Sequence, residues 1–417
     1  MNPAPSFLFR AAGWLAFASA AAIIFSIAVS QILLGASLAA LLISRERLRL
    51  PAIKWALALF LLGTLLAWFF SGDLRAGMPQ IKKIYVFAEL LVVFSAVRYA
   101  KWIRWLFLAW AGLAALAALW GCVQFAGKIR EAHAQGANFY EFYVGERIKG
   151  FTSHWNTFSA EEMFALIMLV AFLMFARAPR NWIWLKAACA FLIALAVLLA
   201  ETRGVWVATA AAGLYLVWAW RPKLLLVAPV LIVLAVVASP PAIRERFRSI
   251  VQPKEVDSNQ FRKVVWRTGV RMIEAHPWLG LGPEQPHIQF WKWLPADIHP
   301  PFPEGYYGHL HNVYLQYAAE RGIPTTLVML GLLIQIVLNF RRWLRSLPPG
   351  RDDRRFLLHG GIAVVLAVLA EGFVEYNLGD SEVLTMFLVV TACGYLALEK
   401  DVDWESGAGP VVLPSIT

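Results

Sequence analysis

Residues 7–28, FLFRAAGWLAFASAAAIIFSIA, hold one charged side chain, Arg10, in a run long enough as a helix to cross a hydrocarbon core about 30 Å thick. In that solvent no water can bond to backbone N–H and C=O groups, so the run must pair them internally as a helix. Comparable runs recur at 31–44, 53–70, 84–99, 103–122, 157–176, 181–200, 204–220, 223–239, 311–340, 356–374 and 381–398. The second is short and the tenth contains Pro324, so neither is expected to cross as one straight helix. The 417-residue chain is 59% hydrophobic and 16% charged, with a mean hydropathy of +0.59, which lies outside the range of water-soluble domains. The expected fold class is an all-α polytopic membrane protein of about twelve transmembrane helices. Its expected organisation is a membrane bundle over 1–239 (spans 1–9), a large outer loop over 240–310 with short amphipathic helices, a second part of the bundle over 311–398 (spans 10–12), and a tail over 399–417. The opening MNPAPSFLFRAAGW lacks a basic region followed by a small-residue cleavage site and reads as the start of the first span.

Charge sets the expected orientation. With the N-terminus cytoplasmic, the inside segments collect Arg45, Arg47, Arg49, Lys54, Arg341, Arg342, Arg345, Arg351, Arg354 and Arg355, while the shorter outside segments hold far fewer cations. That asymmetry predicts both termini in the cytoplasm. It also accounts for most of the net charge of +11, with anionic lipids as partners and no need for a nucleic acid. Cys122, Cys189 and Cys393 all lie in apolar runs without a CxxC pair and read as small buried hydrophobes.

Polar chemistry collects on the outer side. Residues 123–156 mix aromatics with Glu141, Glu146, Arg147 and Lys149, a composition that suits a headgroup-level lid or an ordinary interfacial belt. Glu161 and Glu162 just beyond it are either functional carboxyls or caps on the start of a helix. SNQFRKVVWRTGVRMIEAH, 258–276, predicts an amphipathic helix ending at Pro277. Phe261, Val264, Val265, Met272 and Ile273 form its apolar face, Lys263, Arg267 and Arg271 a basic stripe, and Arg262 and Trp266 share a neighbouring face. Such a helix binds lipid headgroups or closes over a charged lipid-linked substrate. Arg203, alone between two apolar runs, is a snorkelling anchor or a fork for phosphate oxygens.

His276, His287, His299, His309 and His311 fall close together on the same side, which raises the question of a metal. There is no HExxH, no outside DxD pair and no thiolate, so the expectation is no metal and no cofactor. His309 is read as interfacial. His311 is expected to open the tenth span and to share a face with Tyr314, Leu315 and Ala318, where an imidazole is a plausible proton acceptor. Glu371, Glu375 and Asp380, near the last outside turn, either orient that base or the acceptor, or solvate helix ends.

HNVYLQYAAERGIP, 311–324, resembles the His-Asn-x-x-Leu-x(6)-Gly signature of the O-antigen ligase and polymerase superfamily of bacterial membrane glycosyltransferases. RIKGFTSHWNTFSA is similar to that family's Arg-x-x-Gly-x(5)-Asn-x-x-Ala segment, ETRGVWVA to its Ser-Arg-Gly-x-Trp element, and FRKVVWRTGVRMIEAHPWLGLGP to its Arg-x-x-x-Trp helix and following His-Pro-hydrophobic-x-Gly-x-Gly. SHWN stands where Asn-Pro-Asn is usual, and Thr202 where Ser is common. The resemblance implies a fold like the multi-spanning glycosyltransferases of superfamily C. It implies transfer of a glycan from undecaprenyl pyrophosphate on the periplasmic face of the inner membrane, to the lipid A core for a ligase or to another carrier-linked repeat for a polymerase. Carried over residue by residue, it implies His311, Arg203 and Arg262 as catalytic groups with Arg147 beside them; Arg147, Trp266, Arg267, His309, Asn312 and Tyr314 are the candidates for binding the pyrophosphate or glycan.

Physical chemistry fits that expectation. A glycosyl pyrophosphate has a good leaving group, so departure needs arginine forks on the developing phosphate charge more than an acid. One base for the acceptor hydroxyl is still useful, and His311 is the candidate, giving metal-independent displacement with inversion. The competing readings are a polymerase, a protein O-oligosaccharyltransferase, or a transporter of lipid-linked sugars. A transporter would spread polar groups through the midplane.

Overall fold

The computed structural model describes residues 6–177, 181–227, 233, 237–239, 241–252, 259–399, 402 and 404. Among them every regular element is helical: α1 (Phe7–Ala22), α2 (Ile27–Ile43), α3 (Lys54–Phe69), α4 (Leu74–Lys82), α5 (Ala88–Ala96), α6 (Ala100–Ala134), α7 (Phe139–Gly145), α8 (Trp155–Phe175), α9 (Ile183–Leu199), α10 (Arg203–Trp220), α11 (Pro241–Val251), α12 (Asn259–Ala275), α13 (Gln285–Ile288), α14 (Val313–Ser346), α15 (Asp353–Glu371) and α16 (Ser381–Leu396). Three of these, α6, α8 and α14, are long and apolar enough to cross a membrane, and α1, α2, α3, α9 and α16 are shorter apolar helices. Their outer flanks leave Ile32, Trp55, Phe191 and Leu327 more than half exposed. An apolar flank of that extent is buried by lipid, so the chain is a membrane protein.

One large apolar core joins the bundle. α15 packs against both α8 and α10, α14 against α3, and α6 against α8 and α9. The run expected as a single span at 84–99 is a 3₁₀ turn, Lys83–Phe87, which continues α4 into the nine-residue α5. Residues 228–232 and 234–236 of the expected run at 223–239 lie outside the described residues, as does most of 399–417.

The break in the tenth apolar run comes at Gly322, two residues before Pro324, where the backbone turns to φ 76° and ψ 165°. A break frees carbonyls that lipid cannot satisfy. Here the segment after α12 satisfies them: Leu281 N–H donates to Ala319 O at 2.8 Å and Gly282 N–H to Glu320 O at 2.9 Å, while Ile323 N–H donates to Pro277 O at 2.8 Å. The approach is so close that a Cβ on Gly322 would lie 2.1 Å from the Trp278 carbonyl oxygen, and one on Gly280 2.4 Å from the Glu320 backbone. Glycine is therefore required at both positions.

Phe261, Val264, Val265 and Met272 of α12 are buried in a second apolar cluster with Leu281, Phe290, Leu310 and Ala319. The apolar face of this amphipathic helix is thus turned onto the protein, which leaves Arg262 on its edge.

Candidate active site

A cavity of about 880 Å³ opens where α8, α10, α11, α12 and α14 begin or end around the 372–380 turn. It is lined by four arginines, Arg147, Arg203, Arg246 and Arg262, and by His154, His309, His311, Asn156, Glu375 and Asp380. Gln80, Lys83, Glu284, Glu320 and Glu382 line it as well.

The turn between α9 and α10 anchors two of the guanidinium groups. Glu201 adopts a left-handed backbone, φ 49°, and its carbonyl accepts from Arg246 Nε at 3.1 Å and Arg147 Nη1 at 3.5 Å. Arg147 Nε also donates to Val144 O, and its guanidinium lies 4.7 Å from the Trp155 ring centre. Burial lowers Arg147 to about 9, helped by neighbouring Arg246, so it stays charged at neutral pH. Arg246, on α11, also donates to the Tyr140 hydroxyl at 3.3 Å. Burial lowers Arg262 as well, with Glu375 opposing the shift. Burial raises the Glu201 carboxyl to about 7, against the pull of Arg246 and Arg147.

His311 does not open a helix. α14 starts at Val313, with Asn312 as its N-cap accepting Leu315 N–H at 2.9 Å, and His311 precedes the cap in the left-handed region, φ 46°. It is therefore turned away from the face of Tyr314, Leu315 and Ala318, and towards the 372–380 turn. Its Nδ1 lies 3.3 Å and 3.4 Å from the two Glu375 oxygens, and its Nε2 lies 3.0 Å from the Tyr306 carbonyl oxygen. Glu375 also sits 3.7 Å from His309 Nε2 and 4.0 Å from Arg262 Nη2. Burial alone would raise this carboxyl, but His311, His309 and Arg262 outweigh it and hold Glu375 well below the usual carboxylate range. Burial lowers His309 to about 4, so that ring is neutral at physiological pH.

His309, His311 and Glu375 offer one ligand atom each within 4.8 Å of one another, close enough to suggest a cation. Their hydrogen bonds argue otherwise. His309 Nδ1 accepts the His311 backbone N–H at 3.2 Å, which puts the neutral ring's proton on Nε2, the atom facing Glu375. His311 Nε2 faces the Tyr306 carbonyl, which only accepts, so it too points an N–H at its neighbour. In this arrangement both imidazoles present N–H groups, and a metal needs lone pairs.

Of the residues singled out by sequence, the cavity brings together Arg147, Arg203, Arg262, His309 and His311. Four lie outside its lining. Arg267 pairs with Asp297 at 2.8 Å, Trp266 packs on the α12 cluster, Asn312 caps α14 while donating to Phe373 O, and the Tyr314 hydroxyl donates to Leu369 O. Glu161 and Glu162 are buried beyond the first turn of α8, which His154 caps, so neither serves as a helix-start cap.

Sequence reasoning passed over Arg246 and Asn156 as individual residues. Arg246 carried a signal: it follows Ile243 by three in PPAIRERFRS, placing a cation on the apolar face of an amphipathic helix. Residues 187–330 match the family model described as O-antigen ligase, and no curated protein gives a match. The matched segment supplies Arg203, Arg246, Arg262, His309 and His311, whereas Arg147, Asn156 and Glu375 reach the cavity from outside it.

Proposed function

From the premise that the chain carries an O-antigen ligase domain over residues 187–330, we propose that it is an O-antigen ligase, transferring glycan from undecaprenyl pyrophosphate to the lipid A core at the periplasmic face of the inner membrane. The observation that carries this reading is four arginines lining one cavity together with an imidazole–carboxylate pair. Arg203 and Arg262, supported by Arg147 and Arg246, hold the pyrophosphate, where forked donors gather the charge that develops as the anomeric C–O bond breaks. The acceptor hydroxyl takes the place of the Tyr306 carbonyl at His311 Nε2. A ring that keeps its proton on Nδ1 for Glu375 then has its Nε2 lone pair free to receive the hydroxyl proton. The acceptor oxygen bonds to the anomeric carbon from the side opposite the leaving pyrophosphate, and configuration inverts. No metal enters the step.

Purified protein in detergent, given a polyprenyl-pyrophosphate glycan, is expected to transfer it to lipid A core. Transfer to a second carrier-linked repeat instead would make the chain a polymerase, and transfer to protein an oligosaccharyltransferase. Transport of the intact lipid-linked glycan without transfer would overturn the enzyme reading.

A further inference from the structure

The 219-residue separation between Asn156 and Glu375 closes at a single hydrogen bond, from Asn156 Nδ2 to Glu375 Oε2 at 2.8 Å. Asn156 is the second residue of α8, and the His154 side chain accepts its backbone N–H, so its own amide is not spent on capping. It reaches across to the 372–380 turn. An ionised carboxylate only accepts, so the atom facing it must be the amide nitrogen. Tyr376 N–H donates to the other oxygen, Oε1, at 3.0 Å. Between them these two donors fix the plane of the carboxylate that faces His311 Nδ1. The next residue repeats the tie: the Thr157 hydroxyl donates to Asp380 Oδ2 at 2.5 Å, so the start of α8 grips both ends of the turn.

We propose that Asn156 is a positioning residue for His311, acting through Glu375. It binds no substrate in this role. It supplies a neutral donor that aims the carboxylate at Nδ1 without adding charge, and so sets how strongly the carboxylate holds a proton on the ring. The charged and titratable groups facing Glu375 are His154, Arg262, His309 and His311, with Glu371 on the preceding helix. Asn156 adds an uncharged amide donor at 2.8 Å. The inference rests on His311 being the base of the proposed reaction.

The test compares wild type with Asn156→Ala and Asn156→Asp in two assays. In glycan transfer, removing the amide leaves the carboxylate's charge less shared and more attractive to a proton on His311. The acid limb of kcat/KM should therefore move to higher pH, and further for Asp than for Ala because a second carboxylate joins the first. KM for the donor should stay within about twofold, since no phosphate contact is lost. In the second assay, which needs no substrate, the pH dependence of diethyl pyrocarbonate modification of His311 is read by mass spectrometry on the full chain in detergent. Its midpoint should shift the same way in both variants. A uniform loss of activity with unmoved profiles in both assays would make Asn156 merely structural and overturn the inference. If instead His311→Ala keeps full transfer, the base assignment fails, while the modification profile still reports whether Asn156 governs the ring.

Discussion

Among the buried polar side chains described, one group lies at the cavity and another is sealed in the bundle. At the cavity, arginines, imidazoles and Glu375 line open space and face one another from segments far apart in the chain. In the bundle, the Ser19 hydroxyl of α1 lies within hydrogen-bond reach of Ser30 O at 2.9 Å and of Glu89 Oε2 of α5 at 3.1 Å, with no residue of the trio lining the cavity. The sealed group ties three helices together. The open group lines a space with four guanidinium groups, and a cavity of that charge suits an anionic substrate. Burial of polar atoms alone therefore does not mark function here; what they surround does.

Mutations can break this distinction. The largest effect is expected from His311→Ala, about 10²- to 10⁴-fold in transfer rate, the usual contribution of a positioned base. Arg203→Lys and Arg262→Lys come next. Each keeps a charge but loses the fork, and a lost charge-assisted bond is worth roughly 1.5–3 kcal/mol, about 10- to 10²-fold in kcat/KM. Wild-type turnover in Arg262→Lys would count against phosphate contact by that residue.

Glu375 sharpens the contrast through pH. Its carboxyl is held below the ordinary carboxylate range in the folded protein, so the stability it adds is present above that range and lost as pH falls through it. Glu375→Gln should lower the thermal unfolding temperature at neutral pH, and the gap from wild type should close in acid. A gap independent of pH would show that the carboxylate's charge is not what its neighbours recognise. The smallest effect belongs to the sealed group. Glu89→Gln retains an acceptor for Ser19 and should leave transfer within about twofold of wild type. A large loss there would erase the distinction between the two regions.

Much of the bundle was legible because lipid leaves the backbone no alternative to helix: α6, α8 and α14 all fall on apolar runs. The break near Pro324 was legible too, but its position was not. Gly322 is dictated by the Pro277–Gly282 segment docking on it, a tertiary contact that no local pattern carries. The same limit applies at the cavity. Arg203, Arg262, His311 and Arg147 were legible through the family resemblance and His309 through its neighbour His311, and the structure brings the five together. Arg267 looked equivalent by charge and helical spacing, yet it points to Asp297. His311 was placed on the first turn of a helix because the apolar run begins there. The Asn312 cap shifts the start by two residues and frees the imidazole to face Glu375. Asn156 is uncharged and unremarkable by composition; only the fold sets it against Glu375.

The most direct test of the account is glycan transfer by purified protein from a polyprenyl-pyrophosphate donor to lipid A core, comparing wild type with His311→Ala in EDTA. The account predicts transfer by wild type, undiminished by the chelator, and a loss of about 10²-fold or more in the variant. Equal rates in the two proteins, or wild-type transfer that EDTA abolishes and Mg²⁺ restores, would contradict it.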